Sequence, residues 1–579
     1  QNLLVVLEEY TEQVRRDCRL GDSFGVEESY MENLLFYLRV IMSHWLYQVE
    51  VVSNAVEYHK PEMIIAVGSE QSNVAQSPSI ESSERYIADI VSQICPKTNI
   101  ALRKLPIKII SNTPKRNVVK RMRELLALIL YAVLQKTVNT KQKLVIAPAI
   151  DFGMDAVLKK LKSEMGDGFN FVVINLPYKK AMRTIFGKRG TGYNYLPFPI
   201  GRGAALSREF VEERNRFRER ICRLIDKWNY RDVSPASWLK RKYRFALEPE
   251  VIDAMYSFGV NLSKYLDKWK PVFVLAQHSR MYSAVLGELC KLKHIPSLMI
   301  PHGSFTPISD EYSKKEWKEN ALGLINTPYR YVAIQTPLTG KFLLDVPTRS
   351  EPVITGPLLF GRKIESKNMR LRKRYAGSGD KIILHAGTPK HRQGARFFNY
   401  ETLDEYVDGL ISLVNAVNRL EGVRLIIRFR PIDGLGAEEL QSLLPESNSC
   451  FVASDGDFMD YLSMADLLVS YSSTAIEDAL QNQIPVLLFN KYARYQHIKG
   501  TVLFPDSSEM FPSPIYNINS EKDLFFGIEW ILSNHLLKEI SCPDLFRMYI
   551  YSNDEKVELP RFIQDVSRSN FDVAGSKSN

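Results

Sequence analysis

Short, almost uniformly apolar runs alternate along this chain with longer stretches whose apolar residues recur at helical spacing. In the C-terminal half the runs are Lys381-Ile-Ile-Leu384, Val423-Arg-Leu-Ile-Ile-Arg-Phe429, Phe451-Val-Ala453, Leu467-Leu-Val-Ser470 and Ile484-Pro-Val-Leu-Leu-Phe489. Runs of this length, closed by glycine, proline or hydroxyl residues, read as strands buried on both faces, as in a parallel sheet. Strand and helix therefore alternate through residues 381–490. That alternation predicts a doubly wound α/β domain with its ligand at the strand C-termini.

The N-terminal half repeats the pattern more loosely, in Pro61–Gly68, Lys143–Pro148, Phe169–Asn175, Pro271–Gln277 and Ser297–Pro301. Ser283–Leu292, between the last two, is an amphipathic helix, so residues 271–301 form a strand–helix–strand unit. A second nucleotide-fold-like domain is expected, with a strand order that cannot be read from sequence. The reading divides the chain into an N-terminal domain over 1–355 with a helical, basic insertion at about 180–265, a linker over 356–380, a second domain over 381–520, and C-terminal helices and tail over 521–579. Arg208–Lys227 reads as a heavily charged, solvated helix, with an acceptor-binding or oligomerising flap as the alternative. Gly187–Gly192 lacks the Gly-Lys-Ser/Thr ending of a P-loop.

At 579 residues the chain exceeds what one core supports. Its 45% hydrophobic and 25% charged residues are those of a globular protein. The net charge of +10 suits an anionic substrate, an anionic membrane face or nucleic acid without choosing among them. Six cysteines without metal or CxxC spacing fit a reducing compartment, and Gln1–Glu9 has no basic residue ahead of its apolar stretch, so a cytoplasmic protein without signal peptide is expected. The apolar run Leu125–Leu134, with basic residues on both sides, is about half the roughly 20 residues of a membrane span; it reads as a buried helix or as an interfacial one drawn to anionic lipid.

Candidate chemistry gathers at the ends of the apolar runs. Ser472, Ser473 and Thr474 stand where a helix begins, so hydroxyls, unpaired N–H groups and the helix dipole can hold a phosphate there. Glu477, one turn on and expected to be half exposed, is placed for a ribose diol; the alternative is an ordinary capped helix start with an acidic first turn. The loop after Leu384 carries Gly387 and Arg392 and reads as a phosphate-side loop. Arg428 and Arg430 alternate onto one side of their strand and read as a clamp for a diphosphate or carboxylate.

In the N-terminal domain, Gln277-His-Ser-Arg280 and Pro301-His-Gly303 follow adjacent apolar runs. His302 is the leading catalytic candidate, because imidazole beside glycine can reach a ligand and move a proton near neutral pH; a hydrogen-bonded turn histidine is the alternative. His278 and Arg280 are assigned to the acceptor side. Asp151 and Glu70, also at strand ends, compete as base or nucleophile, or act as helix caps.

The order of Arg430-Pro431 at a strand end, the Ser454-Asp-Gly-Asp457 segment, the Ser-Ser-Thr turn with Glu477 and the Pro485-Val-Leu-Leu strand resembles the donor half of GT-B glycosyltransferases. It is most similar to capsule and surface-carbohydrate transferases of the 3-deoxy-manno-octulosonate, polysialic acid and CDP-glycerol types, although Arg430 stands where they carry histidine. The resemblance covers residues 350–505. It implies two Rossmann-like domains facing a cleft, with C-terminal helices crossing back onto the N-terminal domain. It also implies sugar transfer from a nucleotide-activated donor to a surface polysaccharide or lipid-linked glycan, at the inner face of the plasma membrane. No Asp-x-Asp stands at a convincing strand end, so the expectation is a nucleotide-sugar co-substrate with no metal and no other cofactor. The rivals are a CDP-alditol glycerophosphotransferase and a non-enzymatic basic scaffold for anionic lipid or nucleic acid. Because no segment clusters aromatic with basic residues, nucleic acid is not expected as a partner.

Overall fold

A computed structural model describes residues 2–19, 21, 25–68, 84–106, 141–148, 153–174, 194–195, 206–237, 239–240, 249–303, 305–387, 401–431, 435–489, 491–492, 498–503, 512–535 and 543–575. Glu70, Asp151, Arg392, Gly187–Gly192 and Leu125–Leu134 lie outside the described residues.

Two parallel seven-stranded sheets organise the molecule. The N-terminal sheet contains β3 (Lys143–Ala147), β4 (Phe169–Val173), β5 (Asn194–Tyr195), β6 (Phe273–Ala276), β7 (Ser297–Met299), β8 (Tyr331–Ile334) and β9 (Glu351–Ile354), in the order β5-β4-β3-β6-β7-β8-β9. The C-terminal sheet contains β10 (Lys381–Gly387), β11 (Val423–Phe429), β12 (Cys450–Ala453), β13 (Leu467–Ser470), β14 (Val486–Phe489), β15 (Thr501–Val502) and β16 (Ile515–Ile518), in the order β12-β11-β10-β13-β14-β16-β15. In each, the first strand is flanked by the second on one side and the fourth on the other. That reversal is the switch point at which doubly wound sheets open a crevice.

The strands are apolar on both faces because helices cover both. β6 shows it: Phe273 and Leu275 join one buried cluster, Val274 and Ala276 the other. The C-terminal helix Leu559–Gly575 returns to the N-terminal sheet, where Leu559 and Ile563 are buried and the Phe562 ring meets Phe273 at 6.2 Å and Tyr331 at 5.1 Å. Two Rossmann-like domains with a C-terminal helix crossing back are the GT-B architecture.

Two sequence expectations are corrected. The run at Pro61–Gly68 does not join the main sheet; its strand β1 (Met63–Gly68) pairs in parallel with β2 (Ala101–Pro106) in a separate two-stranded sheet. Local hydrophobicity identifies a strand but not its partner. Arg208–Lys227 is not a solvated helix: Phe210, Phe217, Ile221 and Ile225 are buried in the same core as helix Glu27–His59 and helix Pro249–Trp269, while Arg214 Nη1 reaches both carboxylate oxygens of Asp253 at 2.6 and 2.7 Å. Its charges mask a clear apolar stripe. In the expected linker, Gly361 and Ile364 donate backbone N–H groups to Asp478 and Asn482 of the second domain, at 2.5 and 2.7 Å.

Candidate functional site

At the switch point of the C-terminal sheet, Ser470 at the end of β13 donates its hydroxyl to the Ala386 carbonyl of β10 at 2.7 Å. The turn that follows leaves this sheet for the domain joint. Tyr471 is buried in the core of the N-terminal domain, Ser472, Ser473 and Thr474 are half-buried, and Ser473 Oγ accepts from Ala475 N at 3.2 Å. The helix Ala475–Gln481 is buried along its whole length.

Its burial has a cause visible residue by residue. Thr336, just past β8 of the N-terminal domain, donates to Glu477 Oε1 at 2.6 Å. Asp478 accepts from Gly361, Asn482 donates to the Arg362 carbonyl at 2.8 Å, and Gln481 donates to the Tyr549 carbonyl at 2.6 Å. Burial drives the Asp478 carboxyl up to about 6, against the opposing pull of the Gly361 N–H. Glu477 is 1% exposed and engaged across the joint, so the half-exposed position expected for a ribose contact is corrected. Thr336 lies far from Glu477 in sequence, and no local pattern signals their pairing.

The N-terminal sheet carries its own candidates at the C-terminal edge of β6 and β7. There the structure brings together the two histidines that the sequence kept apart: the rings of His278 and His302 lie 6.5 Å apart and nearly perpendicular. His302 Nδ1 is 3.1 Å from the Gln277 carbonyl. A carbonyl only accepts, so Nδ1 carries the proton and Nε2 carries the lone pair. Burial lowers the His302 pKa, the Gln277 hydrogen bond raises it, and the charge of Arg280 lowers it further, so the ring is neutral at physiological pH. Arg280 lies over the Phe36 ring, its Cζ 3.7 Å from the ring centre, and the neighbouring Met281 N–H donates to Asn33 at 2.7 Å, so helix Glu27–His59 holds the loop after β6. Met281 has φ of +48°, in the left-handed region that costs a non-glycine residue energy, and the loop is thus held in a fixed, strained shape.

The two arginines differ in their surroundings. Arg428 donates to the carbonyls of Phe429, Ala453 and Gly456 at 3.1, 3.2 and 2.8 Å, which ties the ends of β11 and β12 together. Arg430 lies one residue past the end of β11 and is exposed. Strand alternation gave both the same side, but three nearby carbonyls capture one guanidinium. Gly387 is packed close, since a Cβ there would meet the His385 ring at 3.1 Å and Tyr406 at 3.3 Å. His385 is buried and held neutral, its pKa pushed down to about 4 by desolvation. With Tyr406 it lines a cavity of about 20 Å³ beneath the switch point. Among the described residues, no group of three His, Cys, Asp or Glu is placed to hold a metal ion, and no helix is long and apolar enough to cross a membrane.

No family profile matches this sequence, and no curated protein matches it. Solved structures do. The S. aureus MnaA–UDP co-structure is 12% identical with a TM-score of 0.39, covering 72% of this chain and 94% of its own. UDP-GlcNAc 2-epimerase from Neisseria meningitidis bound to UDP-GlcNAc is 12% identical with a TM-score of 0.37, covering 75% of this chain and 100% of its own. MurG from Acinetobacter baumannii is 11% identical with a TM-score of 0.37, covering 74% and 99%.

Proposed function

We propose that the cleft between the two sheets transfers a sugar from a nucleotide-activated donor to an acceptor hydroxyl, with the donor phosphates at the Ser472–Thr474 turn and the acceptor beside His302. The observation that carries the reading is the His278–His302 pair on the C-terminal edge of one doubly wound sheet, joined through Thr336 and Glu477 to the switch-point turn of another. His302 Nε2 takes the proton from the acceptor hydroxyl as that oxygen bonds to the anomeric carbon. The bond from the anomeric carbon to the donor phosphate breaks, and its electron pair leaves with the nucleotide. The hydroxyls of Ser472 and Thr474 donate hydrogen bonds to the departing phosphate, and the Arg430 guanidinium at the exposed end of β11 offsets its charge.

The sequence resemblance supports a surface polysaccharide or lipid-linked glycan as acceptor, used on the cytoplasmic side of an anionic membrane. The reading asks for no cofactor beyond the nucleotide sugar. It is tested by thermal shift against CMP, CDP, UDP and GDP, since a ligand that binds only the folded state raises Tm, followed by transfer assays with sugars of the nucleotide that binds. His302→Ala is expected to lower turnover by roughly 10² to 10⁴-fold. A protein that binds none of the four nucleotides, or a variant with wild-type rates, refutes the reading; transfer of an alditol phosphate from CDP-glycerol replaces it with the phosphotransferase.

A further inference from the structure

Two glutamines occupy matching places in the N-terminal sheet, each the residue that follows its strand, on the sheet face shared with helix Met154–Met165. Gln335, after β8, is fully used: its amide donates to the Pro301 carbonyl at 2.6 Å and accepts from the N–H groups of Leu358 and Leu359 at 3.1 and 2.8 Å. Gln277, after β6, is 1% exposed, yet neither its side-chain oxygen nor its nitrogen has a hydrogen-bond partner. Two residues on, Ser279 Oγ is likewise buried and unpartnered. Buried polar side chains are almost always paired, because leaving one unpaired forfeits its hydration with no return. Here the unpaired groups stand at the switch point beside β3, and the Gln277 carbonyl is the one that orients His302. The same alternation that puts Phe273, Leu275 and Gln277 on one face of β6 puts Leu298, Ile300 and His302 on that face of β7.

We infer that the Gln277 side-chain amide, with Ser279 Oγ, is a recognition subsite for a hydroxyl of the acceptor sugar, positioning it against His302. A primary amide offers a donor and an acceptor in one plane, which is what a neutral hydroxyl or a vicinal diol requires and what a phosphate does not. The subsite rests on the reading of this cleft as a glycosyl-transfer site. It assigns the acceptor a neutral, hydroxyl-bearing ring at the point of attack. A polar group left unpaired until substrate arrives trades stability for function.

That trade makes the test specific. Gln277→Met and Gln277→Leu keep the volume and remove the amide. Each is expected to raise Tm by about 2 °C or more, because an unpaired buried amide disappears. Each is also expected to lower turnover at fixed acceptor concentration by roughly 10- to 100-fold, with donor-nucleotide affinity unchanged. Saturation-transfer NMR with a panel of neutral methyl glycosides supplies a readout independent of turnover: wild type shows transfer to the ring protons and both variants lose it. A lower Tm, failure of both variants to fold, or undiminished glycoside binding overturns the assignment. Wild type that binds glycosides in a Gln277-dependent manner but transfers no sugar from any nucleotide donor leaves the subsite standing and sinks the transfer reading instead.

Discussion

Replacing Thr336 with valine deletes one hydroxyl from the joint between the domains and leaves its shape nearly intact. The hydroxyl donates to Glu477 at 2.6 Å, and both residues are 1% exposed. A hydrogen bond to a carboxylate contributes about 1.5–3 kcal/mol, and burial of both ends places this one in the upper part of that range, at about 2–3 kcal/mol. Global melting averages over both domains, so a local measurement isolates the joint. Hydrogen exchange in Ala475–Asn482 reads the joint itself. A loss of about 2–3 kcal/mol from local opening accelerates exchange there by roughly 30- to 150-fold, while the strands of both sheets keep their protection. A cycle with Glu477→Gln isolates the pair, with an expected coupling of at least about 1 kcal/mol. Unchanged exchange in Thr336→Val refutes the joint as described. Glu477→Ala with wild-type exchange and a selective loss of nucleotide affinity returns Glu477 to the ribose.

Further outcomes follow from the same geometry. Asp478 titrates at about 6 in the fold against an ordinary 3.8, so the stability it contributes is full below 3.8 and is lost as pH rises through about 6. Asp478→Asn, which keeps an acceptor for Gly361, is expected to stabilise the protein at pH 7.5 by up to roughly 3 kcal/mol and to flatten chemical denaturation midpoints between pH 5 and 7, measured in urea; a destabilised variant at pH 7.5 contradicts this. His385 is depressed to about 4, so its contribution is present above 6.5 and lost as pH falls toward 4, and His385→Phe is expected to remove part of the acid sensitivity seen in the same titration. Arg428→Ala costs about 2 kcal/mol or more in denaturant unfolding because three carbonyls lose their donor, whereas exposed Arg430→Ala stays within about 0.5 kcal/mol and lowers turnover instead. The reverse ranking in stability refutes the assignment of Arg428 as the tie between β11 and β12.

Apolar runs and their punctuation revealed most strands of both sheets, because burial on two faces leaves a signature in a few consecutive residues. Lys381–Leu384, Val423–Phe429 and Leu467–Ser470 appear in the structure as β10, β11 and β13, and His278 and His302 stand at strand ends as the sequence implied. What the sequence left open is everything that depends on partners far along the chain. The pairing of β1 with β2 outside the main sheet is of this kind, as are the core role of Arg208–Lys227 and the capture of Arg428 by Ala453 and Gly456. So are the 6.5 Å approach of the two histidines and the bond from Thr336 to Glu477. Residue type and spacing are local properties and fix secondary structure and the inventory of reactive groups. Whether a guanidinium, an amide or a carboxylate is spent on structure or kept for a ligand depends on which distant carbonyl or hydroxyl folding brings within about 3 Å, and only the tertiary structure decides that.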